Sequence, residues 1–249
     1  MTDMLRYAKL DTLCLVRSAY FLTFSVLFSA GFYVMFTMVA QDTLSESPLF
    51  ARDYMLSMSV SGAFFGALNG AGIRLGTERG EGWARQVLLT PLSGAAYLGA
   101  KALTAWLATL PAAVVVFALG AFANDVSMPA ADWLAALGVI WGASLVFVLA
   151  GLAVGLVAVG ESAQYISLGV FFPLAMLGGL WFPLDDFPAG LRHAADFLPT
   201  RSLDQLATLV TPGGGDAPVL RPVLVLVCWG LALAGVVLSR SRAVVLARV

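Results

Sequence analysis

Six long runs without Asp, Glu, Lys or Arg, most of them strongly apolar, divide the chain. They cover residues 18–41, 54–73, 102–124, 133–160, 162–184 and 222–239. A helix rises 1.5 Å per residue, so roughly 18 or more apolar residues cross a hydrocarbon core about 30 Å thick. The pattern predicts a single all-α membrane domain over 1–249. Its six spans are expected at approximately 19–40, 54–73, 102–122, 133–158, 164–182 and 220–238.

Composition agrees with this prediction. The chain is 60% apolar and only 12% charged, against about 25% charged residues in an ordinary soluble domain. A water-soluble globule is therefore excluded. The net charge of −1 gives no reason to expect a nucleic-acid partner, and Cys14 and Cys228 form no C-x-x-C pair or disulfide framework.

The charges fall into two unequal sets, one for each side of the predicted bundle. The first set comprises the N-terminal segment, the 74–101 loop, the 160–162 turn and the tail after residue 238, and it carries ten of the fourteen cations with five anions. The second set carries four cations and ten anions. By the positive-inside rule the first set, and with it both termini, is expected in the cytoplasm. The first run is expected to be a retained span, because it is too long for a signal core and no clear A-x-A site follows it.

Residues 3–17 place most of their apolar side chains on one side of a helical wheel and Arg6, Lys9 and Arg17 on the other. This pattern favours an amphipathic helix at the membrane surface, although a flexible basic leader would also set the topology.

The spans carry two helical patterns. Phenylalanines 21, 24, 28, 32 and 36 form one stripe, which would either line a substrate passage or pack on another helix or lipid. Glycines 62, 66 and 70 permit close helix packing, within the chain or against a second copy. Pro111 and Pro173 are expected to loosen their helices. We therefore consider these residues candidates for a substrate path or dimer interface: Phe24, Phe28, Phe32, Ser57, Ser61, Gly62, Gly66 and Asn69.

Several kinds of chemistry lack the residues that they need. The single histidine, His193, lies outside the spans, so no metal cluster or Ser-His dyad can form within the membrane. No G-x-x-x-x-G-K-[ST] phosphate loop occurs. The spans have essentially no central charge for a proton relay. Any energy source is therefore expected outside the chain.

The 74–101 loop is the most informative segment. It passes from charged and glycine residues to Trp83, Val87 and Leu88, and then to Thr90-Pro91. This indicates a short amphipathic helix suited to the groove of a partner protein, or alternatively a solvated loop with Trp83 anchored at the headgroups.

A second informative segment follows the fifth run. It begins Gly178-Gly179-Leu180-Trp181-Phe182-Pro183, and a Pro-bounded stretch, 189–197, predicts a short surface helix.

Together these features resemble the membrane (permease) subunit of type-2 ATP-binding-cassette exporters, a family that includes drug, polysaccharide and lipid exporters. Its loop between spans 2 and 3 is similar to E-x-x-x-G-x-x-x-x-L-x-x-T-P-x-S-x-x-x-Y-x-x-x-K. The matching residues here are Glu78, Gly82, Thr90, Pro91, Ser93, Tyr97 and Lys101, with Leu88 one position from the family's leucine. The Gly-Gly-x-x-F-P element, Pro188 and Leu198-Pro199 resemble the family's outer segment.

The resemblance implies that the loop holds a coupling helix that seats in a separate ATPase subunit. Its implied contact residues are Glu78, Arg79, Gly80, Glu81, Gly82, Trp83, Arg85, Thr90, Pro91 and Ser93. Phe182, Pro183 and Pro188 would form an outer gate, followed by short outer helices before span 6.

The working complex would contain two permease chains, as a homodimer, and two ATPases in a bacterial inner membrane. ATP and Mg²⁺ would bind the ATPases, and no cofactor or metal would bind this chain. The compact outer loops favour a bacterial exporter of a drug, peptide or lipid, with multidrug resistance among the expected roles. A six-span channel or scaffold is the alternative, and an intramembrane enzyme is disfavoured because the spans lack clustered catalytic groups.

Overall fold

The structure, a computed structural model, describes residues 2–39, 49–90, 92–184, 187–214 and 218–246. Pro91 and the side chains of Phe24 and Leu88 lie outside what it describes. Within these ranges the regular structure is entirely helical, which confirms the predicted all-α class.

The helices follow one another with short connections. In chain order they are α1 (Thr2–Val16), α2 (Ala19–Phe21), a π-helical segment (Leu22–Leu27), α3 (Phe28–Val39), α4 (Leu49–Ala67), a second π-helical segment (Leu68–Ile73), α5 (Arg74–Gly80), α6 (Trp83–Leu88), α7 (Gly94–Leu107), α8 (Leu110–Ala123), α9 (Ala130–Ala143), α10 (Leu145–Val157), α11 (Glu161–Leu177), α12 (Ala189–Ala195), α13 (Pro199–Leu209) and α14 (Leu220–Leu246).

Within the residues that the structure describes, four helical stretches are long and apolar enough to cross a membrane. They are Leu49–Gly80, Gly94–Ala123, Ala130–Val157 and Leu220–Ser241. The first predicted span contains a shorter apolar helix, Ser25–Val39, and the fifth corresponds to the 17-residue helix α11. The six-span arrangement therefore remains a prediction, supported at four of its six positions.

The stretch Leu49–Gly80 is the central helix of the bundle, and its apolar window is wholly buried within the chain. At 1.5 Å per residue its 32 residues extend for about 48 Å. It is thus longer than the predicted 54–73 span, because Arg52, Asp53, Arg74 and Glu78 continue the helix at its two ends.

Small residues let this central helix lie close to the chain's own third span. A Cβ added at Gly66 would lie 2.6 Å from the carbonyl oxygen of Ala108, and one added at Gly70 would lie 2.8 Å from Cα of Ala105. Gly62 faces Ala112 in the same way. These glycines are therefore occupied by packing within one chain, and we do not propose a dimer interface through them.

The third and fourth spans both break near their middle. Helix α7 ends at Leu107 and α8 begins at Leu110, with Pro111 in its first turn, as the proline predicts. Helices α9 and α10 meet at Ser144. The indole rings of Trp106 and Trp141 stack at 4.1 Å across the two breaks, and each indole N–H donates to the other residue's carbonyl oxygen.

The fifth span ends earlier than predicted, at Leu177 rather than residue 182. Gly179 has φ +77°, and the N–H of Leu180 donates to the carbonyl oxygen of Ala175. This is a glycine C-cap, which stops the helix and turns the chain. Trp181 and Phe182 therefore lie in a turn.

Candidate coupling surface

The segment after the central helix forms a compact helical hairpin. Helix α5 ends at Gly80 and α6 begins at Trp83. Gly82 joins them with φ +78°, a left-handed conformation that glycine adopts without a Cβ penalty. We call this hairpin, residues 74–88, the coupling hairpin. It lies with α1 at one end of the bundle, together with Arg6, Arg74 and Lys101 of the first charge set, and we call this the basic end.

A buried ion cluster holds the coupling hairpin to two other elements. The Lys101 side chain on α7 is fully buried, and its Nζ donates to Asp11 Oδ1 on α1 at 2.9 Å and to Glu78 Oε1 on α5 at 2.5 Å. Arg74 donates to the same Asp11 oxygen at 2.7 Å. Tyr97 O–H donates to Glu78 Oε2 at 2.6 Å. We call these five residues the charge cluster.

The charge cluster is nearly balanced and well enclosed. Two cations face two carboxylates, and the side chains of Asp11 and Glu78 are only 5% and 14% exposed. Breaking one partner of such a pair leaves an uncompensated buried charge, which is strongly destabilising. The cluster therefore favours one fixed relation between α1, α5 and α7.

Tyr7 extends this arrangement along α1. Its ring packs edge-on against Tyr97, with centroids 5.7 Å apart, and the Lys101 ammonium lies 5.6 Å from its centroid. Burial, and then the Glu78 carboxylate, raise the pKa of Tyr7 above its usual range, while a hydrogen bond with Trp83 partly offsets them. Tyr7 thus stays a neutral phenol at physiological pH.

Arg79 joins the hairpin to a third element, the end of α10 in the fourth span. Its Nη1 donates to the carbonyl oxygens of Gly155 at 2.7 Å and Ala158 at 3.4 Å. Gly76 accepts from the N–H of Gly160, and Gly80 packs directly on the same turn. The guanidinium caps α10, where carbonyls lack helical partners.

The predicted contact residues therefore divide into two groups. Glu78 and Arg79 contact the chain's own helices, and Gly80, although exposed, packs against the turn at Gly160. Their contact with a partner remains a prediction. Glu81, Trp83 and Arg85 lie at the surface, with Trp83 47% exposed.

The other loop residues have local roles. Thr90 donates to the carbonyl oxygen of Val87, and Ser93 is the N-cap of α7, accepting from the N–H of Ala96.

An apolar groove of about 610 Å³ lies between α1 and the hairpin. Leu10, Trp83 and Val87 are among its lining residues. Leu10 is 64% exposed, and the neighbouring Leu89 is 88% exposed. Exposed apolar side chains that are grouped in this way mark a surface that contacts another protein or the membrane.

The candidate path residues lie mainly inside the bundle. Phe28 and Phe32 pack on Trp181 at 5.8 and 5.7 Å. Ser61 accepts from the Trp181 indole at 3.1 Å, and Ser57 donates to Asp204 at 2.7 Å. For the described part of the stripe, these contacts favour packing over an open passage.

Asn69 is buried at the π-helical segment of the central helix, and its Nδ2 has no partner within the described residues.

The predicted outer-gate residues lie at the opposite end of the bundle, near Asp53, Asp196 and Asp204 of the second charge set, and we call this the acidic end. Phe182 packs edge-on against Phe36 at 5.8 Å and, with Pro183, lines a cavity there. Pro188 precedes α12 as its N-cap. Their role as a gate remains a prediction.

Sequence reasoning did not identify Asp11 or Asp204 as site residues, although both are buried acids. Asp11 lies between Ala8 and Leu15 on the buried face of α1. A charged residue within this apolar stripe is the sequence feature that could have identified Asp11 as a site residue. Asp204 has no comparable signal.

Metal binding finds no support in the ranges that the structure describes, where no group of three or more His, Cys, Asp or Glu residues could hold an ion.

A helical membrane protein with a charged, partly apolar hairpin at one end of its spans has the form of a transport subunit that meets a separate protein. Comparison with known proteins is consistent with this class. The profile of a family described as ABC-2 family transporter protein matches residues 29–238. The chain is also similar to "Putative transport permease YvfS" of Bacillus subtilis (strain 168), with 29% identity over 215 residues and 86% of each chain covered.

The chain belongs to the ABC-2 family of transporter proteins. It is a membrane permease subunit of an ABC transport system, and this membership implies a partner ATPase subunit.

Proposed function

We propose that the chain is the permease of an ATP-driven exporter that moves a hydrophobic or amphipathic substrate, such as a drug, peptide or lipid, out of the cytoplasm. Two copies of the chain would assemble with two ATPase subunits in a bacterial inner membrane, with both termini cytoplasmic. ATP and Mg²⁺ would be held by the ATPases. The cation-rich basic end, which would face the cytoplasm, supports this orientation.

The observation that carries the proposal is the fixation of the coupling hairpin by the charge cluster. A docking element can transmit a displacement of its partner to the membrane helices only if it is held rigidly to those helices. Lys101 and Glu78 join the hairpin to the third span, and Asp11 joins it to α1. A displacement at Trp83 would therefore reach three parts of the bundle together.

The central helix gives this displacement a path along the bundle. Helix α5 continues without a break into the π-helical segment and α4. Asp204 on α13 accepts from Ser57 on α4 near the far end of that helix. ATP-driven closure of the ATPases would thus shift the central helix and, through it, the helices of the acidic end.

The surface that would meet the ATPase combines Trp83, Arg85 and Leu89. Tryptophan is enriched among the hot spots of protein interfaces. Arg85 would pair with acidic groups of the ATPase, and Trp83 would become the buried anchor.

Co-expression with candidate ABC ATPases from the same organism tests the proposal. We expect the ATPase to co-purify with wild type and with Trp229→Ala, a control that removes a 37% exposed tryptophan of α14 whose indole N–H donates to the carbonyl oxygen of Phe197 rather than to the hairpin. Trp83→Ala and Arg85→Ala should insert normally but lose ATPase binding or coupling. Uptake into inverted vesicles then tests direction, because an exporter accumulates substrate inside them. If no ATPase binds the wild-type chain, the exporter proposal is wrong and a channel or scaffold must be considered.

A further inference from the structure

A second cavity, of about 620 Å³, lies at the acidic end of the bundle. The coupling mechanism above does not use it. Its volume is within the range of about 300–1,000 Å³ that small-molecule sites occupy. Its lining within the described chain includes Asp53, Tyr54, Phe182, Arg201, Asp204 and Arg221.

One wall of the cavity combines aromatic rings with a carboxylate. Phe50, Asp53 and Tyr54 lie on one face of α4 at spacings of three and four residues. The rings of Phe50 and Tyr54 are parallel, with centroids 5.9 Å apart, and Phe182 adds a third ring. The Asp53 side chain is 48% exposed, and its Oδ1 accepts hydrogen bonds from Nε and Nη2 of Arg52. Aromatic faces beside a carboxylate attract ammonium groups, including quaternary ones.

The opposite wall presents guanidinium groups. Arg201 on α13 has Nη1 3.4 Å from Asp204 Oδ2, and its Nε is buried without a hydrogen-bond partner among the described residues. Arg221 at the start of α14 is oriented by an ion pair with Asp196 at 2.8 Å. Guanidinium N–H groups match the oxygens of phosphate.

Asp204 holds the two walls together. It is only 5% exposed and accepts from Ser57 Oγ on the central helix at 2.7 Å. The arginine-bearing helix α13 is thereby fixed to the helix that carries the aromatic rings. The cavity is therefore preorganised, which lowers the cost of binding.

We propose that this cavity binds a small zwitterion that carries an ammonium group at one end and a phosphate at the other, as in phosphocholine or the headgroup of a phosphocholine lipid. Among the lining residues that the structure describes, Asp53 and Asp204 equal Arg201 and Arg221 in number. A lone anion or cation would meet a like charge at one wall, whereas a zwitterion presents the opposite charge to both walls. The inference concerns the permease alone and does not depend on ATPase coupling or export.

Calorimetric titration of the purified chain in dodecyl maltoside with phosphocholine tests the proposal. We expect wild type to bind phosphocholine more tightly than choline or inorganic phosphate. Arg201→Gln and Asp53→Asn should each weaken binding by about tenfold or more. Arg192→Gln and Asp132→Asn, at residues outside the cavity lining, are the matched controls and should bind as wild type does. Thermal unfolding of each variant verifies that it is folded. Of the two cavity variants, Asp53→Asn should disturb the fold least, because the Asp53 side chain is half-exposed.

The proposal is overturned if wild type does not bind phosphocholine, if choline or phosphate alone binds as tightly, or if both cavity variants keep wild-type affinity. Nanodiscs distinguish the two sources of the ligand. Weaker apparent phosphocholine binding in phosphatidylcholine discs than in phosphatidylglycerol discs would identify a lipid headgroup as competitor. Equal affinity in both would identify a soluble zwitterion.

Discussion

Replacing Lys101 by methionine should destabilise the protein by removing one cation from the charge cluster. The Glu78 carboxylate, 14% exposed, would keep only the Tyr97 hydroxyl at 2.6 Å and Arg74 at 3.9 Å. Asp11 would keep Arg74 at 2.7 Å. Loss of one partner from a buried ion pair costs about 3–5 kcal/mol. Because Arg74 still compensates Asp11, we expect the lower end, about 3 kcal/mol.

Thermal unfolding in detergent measures this effect. For a chain of this length a loss of about 3 kcal/mol lowers the unfolding midpoint by on the order of 10 °C. Lys9→Met, which removes an exposed lysine from α1, is the control and should change little. Adding Glu78→Gln to Lys101→Met neutralises the abandoned carboxylate, so the double variant should be more stable than the sum of the single effects by about 1 kcal/mol or more. A Lys101→Met midpoint within about 2 °C of wild type would refute the reasoning, because surface substitutions already cause changes of that size.

Three further predictions follow from other parts of the structure. Gly76→Ala should lower the unfolding midpoint, because the new methyl group would overlap an alanine Cβ of α11 and overpacking costs about 1–3 kcal/mol. The control Gly138→Ala, at a position with open space, should be neutral or stabilising. Equal midpoints for the two variants would contradict the close packing of Gly76 on α11. Arg79→Gln should cost about 1.5–3 kcal/mol through the lost charged hydrogen bonds to α10, whereas the exposed Arg85→Gln should leave stability unchanged in the same assay. Burial raises the pKa of Asp204 from 3.8 to about 6, so the folded state binds this proton more tightly than the unfolded state, and the stability that this group contributes falls as pH rises from 4 to 7. Asp204→Asn should therefore reduce the dependence of the unfolding free energy on pH in this range, and an unchanged dependence would contradict the assignment.

Much of the fold follows from features that are local in the sequence. The uncharged runs locate the long helices because a membrane span needs an uninterrupted apolar length. Pro111 locates the break of the third span because proline lacks an N–H. The Trp83 region predicts a short amphipathic helix in the same local way.

The contacts of the charge cluster were beyond such reasoning. Lys101 and Asp11 are 90 residues apart, and only the folded bundle brings them together. The same holds for Ser57 and Asp204, which are 147 residues apart. The sequence places Glu78 and Arg79 in the loop, but it does not show that the Glu78 side chain contacts α7 and the Arg79 side chain contacts α10.

The helix ends also depended on tertiary structure. Arg52 and Glu78 interrupt the apolar pattern, so the predicted span stops short of them. At one end the helix continues because Lys101 of α7 pairs with the Glu78 carboxylate, which is a tertiary contact. At the other end the Arg52 guanidinium pairs with the adjacent Asp53. Buried charges are tolerated where they are paired.

The ratio of substrate transported to ATP hydrolysed, measured with the ATPase complex in lipid vesicles, tests the central claim most directly. Wild type and Trp229→Ala should give the same ratio. Trp83→Ala should lower it sharply while the charge cluster keeps the permease folded, as its unfolding midpoint would verify. An unchanged ratio in Trp83→Ala would contradict the claim that the coupling hairpin carries the ATPase's motion into the membrane.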